Sequence, residues 1–125
     1  MTSMSDFASE EDFQNSIIDL AELLGWKIYF VPDWIWRMVV MSMNRHPRKG
    51  RRWAAAGFPD MVLCKPPRIL VWEIKTNKGQ VRPPQKEWIS ALAGCGIEAR
   101  VVRPKDMDYV ISALNNQEEI NAGAE

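Results

Sequence analysis

Residues 57–75 read GFPDMVLCKPPRILVWEIK. Two short apolar runs, 61–64 and 69–72, flank Lys65-Pro66-Pro67-Arg68. Both runs are rich in β-branched or bulky side chains, and the prolines between them forbid helix. The pattern predicts a β-hairpin with a four-residue loop. Pairing Cys64 with Ile69 sets Leu63 opposite Leu70, Val62 opposite Val71 and Met61 opposite Trp72. Asp60 then falls opposite Glu73. Directly opposed residues have Cβ atoms about 4.5–5.5 Å apart, so two carboxylates there repel unless something positive lies between them. Lys75, two residues past Glu73, projects from the same face about 7 Å further along. A one-residue slip would send one carboxylate to the other face, so the convergence depends on this register.

Asp, Glu and Lys at one end of an apolar hairpin suit phosphodiester hydrolysis. Paired carboxylates hold a hard divalent cation such as Mg²⁺, which keeps several waters and accepts phosphate oxygens. Such an ion polarises the phosphoryl oxygen and acidifies a bound water. Lys75 would orient that water or neutralise charge that builds on the phosphoryl oxygens. Two neighbouring carboxylates favour the ammonium form, so this electrostatic role is preferred to that of general base. The same residues also fit a plain amphipathic hairpin whose solvated end carries ordinary charges.

The chain has 125 residues, which predicts one domain over 1–125 with a core of about 9–114 and a polar tail at 115–125. Hydrophobic residues make up 46% and charged residues 26%, a globular balance rather than a disordered one. No apolar run reaches the length of a membrane span, and the opening MTSMSDFASEED has no signal-peptide pattern. The expectation is a cytoplasmic protein without membrane contact. Cys64 and Cys95 have no metal-ligand spacing and are expected to be buried free thiols. The single His46 has no partner that suggests a triad or a zinc site.

Net charge is zero, but the charges are segregated. The first 22 residues carry Asp6, Glu10, Glu11, Asp12, Asp19 and Glu22 and no basic residue. The segment 45–52 reads RHPRKGRR, which allows a basic patch on a neutral protein. Its cations, Arg45, Arg48, Lys49, Arg51 and Arg52, are candidate phosphate contacts, as is Lys78 in the loop after Lys75. Trp34, Trp36 and Trp53 flank the basic segment, and such interleaving suits a phosphate backbone with stacked bases. The bland alternative is a solvated loop over core or interface tryptophans.

Ser9 is the expected N-cap of a first helix, with Phe13, Ile17, Leu20, Ala21 and Leu24 as its inward stripe and Gly25 as its stop. Glu10 sits at the open end of that stripe, where it either complements the helix dipole or reaches a metal site. Residues 26–31 read as a strand, and 34–43, whose pattern fits helix or strand, is taken as a short helix with Asp33 as its cap. Pro83-Pro84 opens another helix with Trp88, Ile89, Leu92 and Cys95 inward. Gln85 heads that stripe, either as a bond to phosphate or water or as an ordinary first-turn amide. Residues 97–102 read as a strand, and Pro104 starts a last helix through Leu114.

Helix, strand, hairpin, helix, strand, helix, with Pro59-Asp60 and Glu73-Ile74-Lys75 in place, resembles the PD-(D/E)xK nuclease superfamily. The finer likeness is to the virus-type replication and repair nuclease (VRR-NUC) branch, which is similar to Holliday-junction resolvases. It rests on Glu10-x-x-Phe13-Gln14, Gly57-Phe58-Pro59-Asp60, Glu73-x-Lys75 and Gln85, and spans about 9–114. The resemblance implies an α/β restriction-endonuclease-like core, a mixed central sheet flanked by helices. It implies Asp60, Glu73, the Ile74 carbonyl and Glu10 as metal ligands for Mg²⁺ or Mn²⁺. It implies Lys75 as the catalytic lysine and Gln85 as the residue that positions phosphate or water. A bacterial or phage-infected cell is the setting it suggests. The segment 33–53 is longer than in the shortest family members, which leaves substrate preference open.

The leading expectation is a metal-dependent DNA endonuclease acting on branched DNA such as Holliday junctions. The alternatives are a non-catalytic binding module on a nuclease fold, and a general or restriction-type endonuclease. A four-way junction must be cut on two strands, and a two-fold dimer would supply two sites. Six tryptophans and seven methionines exceed the needs of a core this size. The cluster Trp34, Ile35, Trp36, Met38, Val39 and Met41 is therefore the candidate homodimer interface, with a buried core helix as the alternative reading.

Overall fold

The computed structural model describes residues 9–30, 38 and 57–115. Its elements are α1 (Glu10–Leu23), β1 (Lys27–Phe30), β2 (Met61–Lys65), β3 (Arg68–Ile74), α2 (Pro83–Gly94) and β4 (Glu98–Val102). A 3₁₀ turn (Pro104–Asp106) then leads into α3 (Met107–Asn115). The four strands lie in the order β1-β2-β3-β4. The first two pairings are antiparallel and β3–β4 is parallel, so the sheet is mixed and the helices flank it. Apart from Met38, the predicted helix over 34–43 lies outside the described residues, as do its Asp33 cap, the basic segment 45–52 and Trp53. So does the tail beyond Asn115.

The hairpin register is the one counted from the sequence. Met61 pairs with Trp72, Val62 with Val71, Leu63 with Leu70 and Cys64 with Ile69. The loop is shorter than expected. Lys65 and Arg68 also pair, which leaves Pro66-Pro67 as a two-residue turn. Strand sequence alternates every two residues. Met61, Leu63, Leu70, Trp72, Ile74 and Val102 therefore share one face and are buried against Phe13, Ile17 and Ala21 of α1 and Met107, Val110 and Leu114 of α3. Each such large apolar side chain stabilises the fold by roughly 1.5–3 kcal/mol before conformational entropy is counted. Trp26 Nε1 donates to the Leu114 carbonyl at 3.0 Å, which ties the last helix to the start of β1.

Local signals account for the helix ends. Ser9 Oγ accepts the Asp12 N–H at 3.1 Å, and Gly25, at φ +88°, ends α1 in a conformation that favours glycine. Two expectations fail. The stripe on α2 is only half-covered: Trp88, Ile89 and Leu92 are partly exposed and no residue of the helix is buried. The reason is that α2 packs chiefly over β4, on the less-covered face of the sheet. Cys95, at the C-cap of that helix, is consequently exposed, and Cys64 is half-buried on the same face. The first strand is Lys27–Phe30, and Pro104 opens a 3₁₀ turn before α3 begins at Met107.

The sheet has two functionally different ends. At the hairpin-turn end, Arg68 is buried, grips both oxygens of Glu98 at 2.7 and 2.6 Å and donates to the Ala113 carbonyl at 2.9 Å. That end is a structural clamp. The opposite end carries the acidic residues.

Candidate active site

Asp60 lies just before β2 and Glu73 near the end of β3, so the register sets them opposite one another. Asp60 Oδ2 accepts the Ile74 N–H at 2.9 Å, which fixes the carboxylate across the mouth of the hairpin. In an extended strand a residue's N–H and C=O point to the same side. The Ile74 carbonyl is thus directed toward the strand that Asp60 precedes.

Glu73 alternates with Trp72 and Ile74 and faces α2 rather than the main core. It is almost entirely buried. Gln85 Nε2 donates to Glu73 Oε2 at 3.0 Å, and Lys75 Nζ lies 3.7 Å from the same oxygen. Burial pushes the Glu73 carboxyl up to about 8, and the charge of Asp60 and a shared hydrogen bond with it push the same way. Lys75 opposes this, and Glu10 adds a smaller upward push. Glu10, the first residue of α1, is thus near enough for its charge to be felt at Glu73. Gln14, one turn further along α1, is a buried polar residue on the same helix.

How α2 reaches the site follows from Gly57. Its φ is +85°, and a Cβ there would lie 2.7 Å from the carbonyl carbon and Cβ of Pro84. Only a residue without a side chain lets the chain pass this close to the first turn of α2. Phe58 then packs edge-on against Trp88, with ring centroids 4.9 Å apart. The Gly-Phe before Pro-Asp seats the helix that carries Gln85. Pro83 and Pro84 have no N–H, so this helix start offers few free amides to a phosphate. Arg82 and Lys86 in its first turn, and Lys78 in the preceding loop, are exposed side-chain cations.

The donor set fits a hard divalent ion. Two carboxylates face each other, one buried and driven toward its protonated form, and a carbonyl points the same way; a cation would relieve the repulsion. Among the described residues, no three His, Cys, Asp or Glu side chains close into a ready ligand cluster. The fit is therefore two carboxylates and a carbonyl, with the charge of Glu10 felt at the same site.

A mixed sheet with flanking helices, PD at the start of one hairpin strand and ExK at the end of the other, is the fold of PD-(D/E)xK nucleases. The VRR-NUC domain model matches residues 35–106, more than half of the chain, and the chain belongs to that family. No curated protein and no solved structure matches it. The protein is thus a nuclease of the PD-(D/E)xK type, a class that generally uses divalent metal ions. The matched span includes Asp60, Glu73, Lys75 and Gln85; Glu10 lies upstream of it. Arg45, Arg48, Lys49, Arg51 and Arg52 lie outside the described residues, and Lys78 is exposed. Sequence reasoning missed Arg82 and Lys86, whose positions three residues before Gln85 and next to it were the available signal.

Proposed function

We propose that this single domain is a Mg²⁺- or Mn²⁺-dependent endodeoxyribonuclease that works as a homodimer and prefers branched DNA, above all four-way junctions. The observation that carries the catalytic part is the convergence of Lys75 and Gln85 on one oxygen of Glu73 with Asp60 opposite. Asp60, Glu73 and the Ile74 carbonyl would hold the metal, with Glu10 contributing charge. A bound divalent ion supplies Lewis acidity and lowers the pKa of its water. Lys75 presents its ammonium where negative charge develops on the phosphoryl oxygens. Gln85 holds Glu73 from the side opposite the strand and orients phosphate or water. Lys78, Arg82 and Lys86 around the mouth, together with the cations of segment 45–52, hold the DNA backbone.

The dimer reading rests on the apolar surplus of 34–41; Met38, its described member, is 61% exposed. The test uses the purified protein and its Asp60→Ala and Lys75→Ala variants. Labelled four-way junctions, flaps, linear duplexes and single strands are offered with Mg²⁺, Mn²⁺ or EDTA, alongside sizing by light scattering. The expected result is metal-dependent cutting of junctions by a dimer, lost in both variants. Cleavage in excess EDTA overturns the metal reading. A monomer that cuts linear duplex equally well replaces junction specificity with general endonuclease activity, and binding without cleavage points to a non-catalytic module.

A further inference from the structure

Lys75 is followed by a tight loop, and a residue far along the chain holds that loop shut. The Lys75 N–H donates to the Val102 carbonyl at 3.1 Å, which extends the β3–β4 ladder one residue past Ile74. The chain then turns, and the Gly79 N–H closes the turn on the Thr76 carbonyl at 3.2 Å. The turn lies across the lysine's stem. A Cβ at Gly79 would stand 3.4 Å from Lys75 Cδ and 3.1 Å from Thr76 Oγ1.

Arg103 Nη1 donates to both ends of this turn, to the Thr76 carbonyl at 2.7 Å and the Gly79 carbonyl at 2.7 Å. The Asn77 carbonyl lies at 3.4 Å from the same nitrogen. Carbonyl dipoles that converge in this way repel one another unless a cationic donor sits between them. The arginine is itself anchored, because its N–H donates to Asp106 Oδ2 at 2.9 Å in the 3₁₀ turn. A second strap comes from the same turn, where the Lys105 N–H donates to Asn77 Oδ1 at 3.1 Å. Thr76, Asn77 and Gly79 are thus fixed to the end of β4, and the Lys75 side chain, 14% exposed, is confined beneath them next to Glu73.

We infer that Arg103 is a positioning residue for the reaction: by cross-linking the carbonyls of Thr76 and Gly79 it holds the loop that aims the Lys75 ammonium at the site. The inference rests on the role proposed above for Lys75. It does not require Arg103 to touch DNA. Misplacement of a catalytic group by about 1 Å costs as much as a hundredfold in rate.

Two readouts test it in the full-length protein. The first is lysine labelling with acetic anhydride, read by mass spectrometry on the DNA-free protein, with exposed Lys86 as internal standard. Arg103→Met should speed modification of Lys75 several-fold relative to Lys86. Arg103→Lys, whose ammonium can still serve converging carbonyls, should keep Lys75 close to its wild-type rate. If Arg103→Met does not fold, Arg103→Gln, an uncharged amide too short to bridge both carbonyls, takes its place, with Lys75 modification again several-fold faster and an unchanged rate overturning the proposal. The second readout is the split between turnover and binding. Arg103→Met should lower kcat roughly tenfold or more with KM for DNA little changed, and Arg103→Lys should recover most of the loss. Unchanged Lys75 labelling in folded Arg103→Met overturns the proposal. So does a fall in DNA affinity as large as the fall in turnover, which would make Arg103 a DNA contact. The labelling experiment needs no nuclease activity, so absence of cleavage in every protein counts against the proposed reaction and not against the clamp.

Discussion

Gln85 is bonded at both ends of its amide: Nε2 donates to Glu73 Oε2 at 3.0 Å and Oε1 accepts the Arg82 N–H at 2.8 Å. Of the two roles that the sequence left open for this residue, the first-turn amide is present, and the other end of the side chain is spent on Glu73. As a cap it satisfies a donor at the start of α2, and as a site residue it stabilises one oxygen of a buried carboxyl. Gln85→Ala should cost about 1 kcal/mol of stability through the cap and lower turnover more than that loss explains. Gln85→Glu keeps the cap but sets a third carboxylate against Glu73. It should be as stable as the alanine variant or more so in EDTA at pH 6, yet a poorer nuclease. Thermal unfolding beside initial rates separates the two contributions, and parallel losses in both variants would reduce Gln85 to a cap.

The raised pKa of Glu73 predicts how metal-free stability depends on pH. From its ordinary value of 4.5 to about 8, the folded carboxyl keeps a proton that the unfolded chain has released. The folded state thus binds more protons in that window, and stability falls as pH rises through it. The contribution is complete below 4.5 and gone above about 8, with a slope of at most about 1.4 kcal/mol per pH unit. Thermal unfolding in EDTA from pH 5 to pH 8.5 should show the fall, and Glu73→Gln should flatten it. Since a divalent ion displaces that proton, stabilisation by Mg²⁺ should be larger at pH 8 than at pH 6 and small in Glu73→Gln. Equal slopes in both proteins would assign the pH dependence elsewhere.

Gly57 and Gly96 offer a matched pair. Both have φ +85°, but a Cβ at Gly57 meets the Pro84 backbone whereas a Cβ at Gly96 meets nothing within 4 Å. Gly96→Ala should therefore cost only the left-handed strain, about 1 kcal/mol. Gly57→Ala should cost about 1–3 kcal/mol more, since the obstructing atoms are backbone and cannot swing aside. It should also reduce turnover, because the displaced turn carries Gln85. Equal unfolding free energies for the two variants would mean that the chain relaxes away from α2 without penalty.

The hairpin was legible because a period of two, broken by Pro66-Pro67, leaves a single register with both carboxylates on one face. The placement of Gln85 was legible as a polar residue at the head of an apolar stripe. That stripe misled on burial: the spacing of Trp88, Ile89 and Leu92 fixes a face but not how completely a neighbour covers it, and Cys95 was misjudged for the same reason. Arg103 left no trace in the pattern. Its targets are backbone carbonyls 27 and 24 residues earlier, and any residue type supplies a carbonyl. Arg82 and Lys86 are single cations compared with the denser charge run at 45–52, and only the first turn of α2 sets them next to Gln85.

Each phosphate neutralised by a lysine or arginine releases condensed counterions, and the slope of log K against log salt is about 0.9 per contact on duplex DNA. Lys78 lies within the loop over Lys75, while Arg82 and Lys86 lie four residues apart on one side of the α2 start, where two prolines leave few amides for phosphate. If these three cations track the backbone past the site, then Lys78→Gln, Arg82→Gln and Lys86→Gln together should lower the slope by roughly three. Neutralising Arg48, Lys49, Arg51 and Arg52 should lower it separately, by an amount that adds to the first if the two groups meet different phosphates. Asp60→Ala protein is the background of choice, since uncut DNA allows equilibrium titration from 50 to 300 mM salt. An unchanged slope in the first set would remove α2 from the DNA path and leave segment 45–52 as the phosphate-binding element. A slope that falls only when both sets are changed would mean that they share the same phosphates, and the DNA would then have to pass between the loop and the helix.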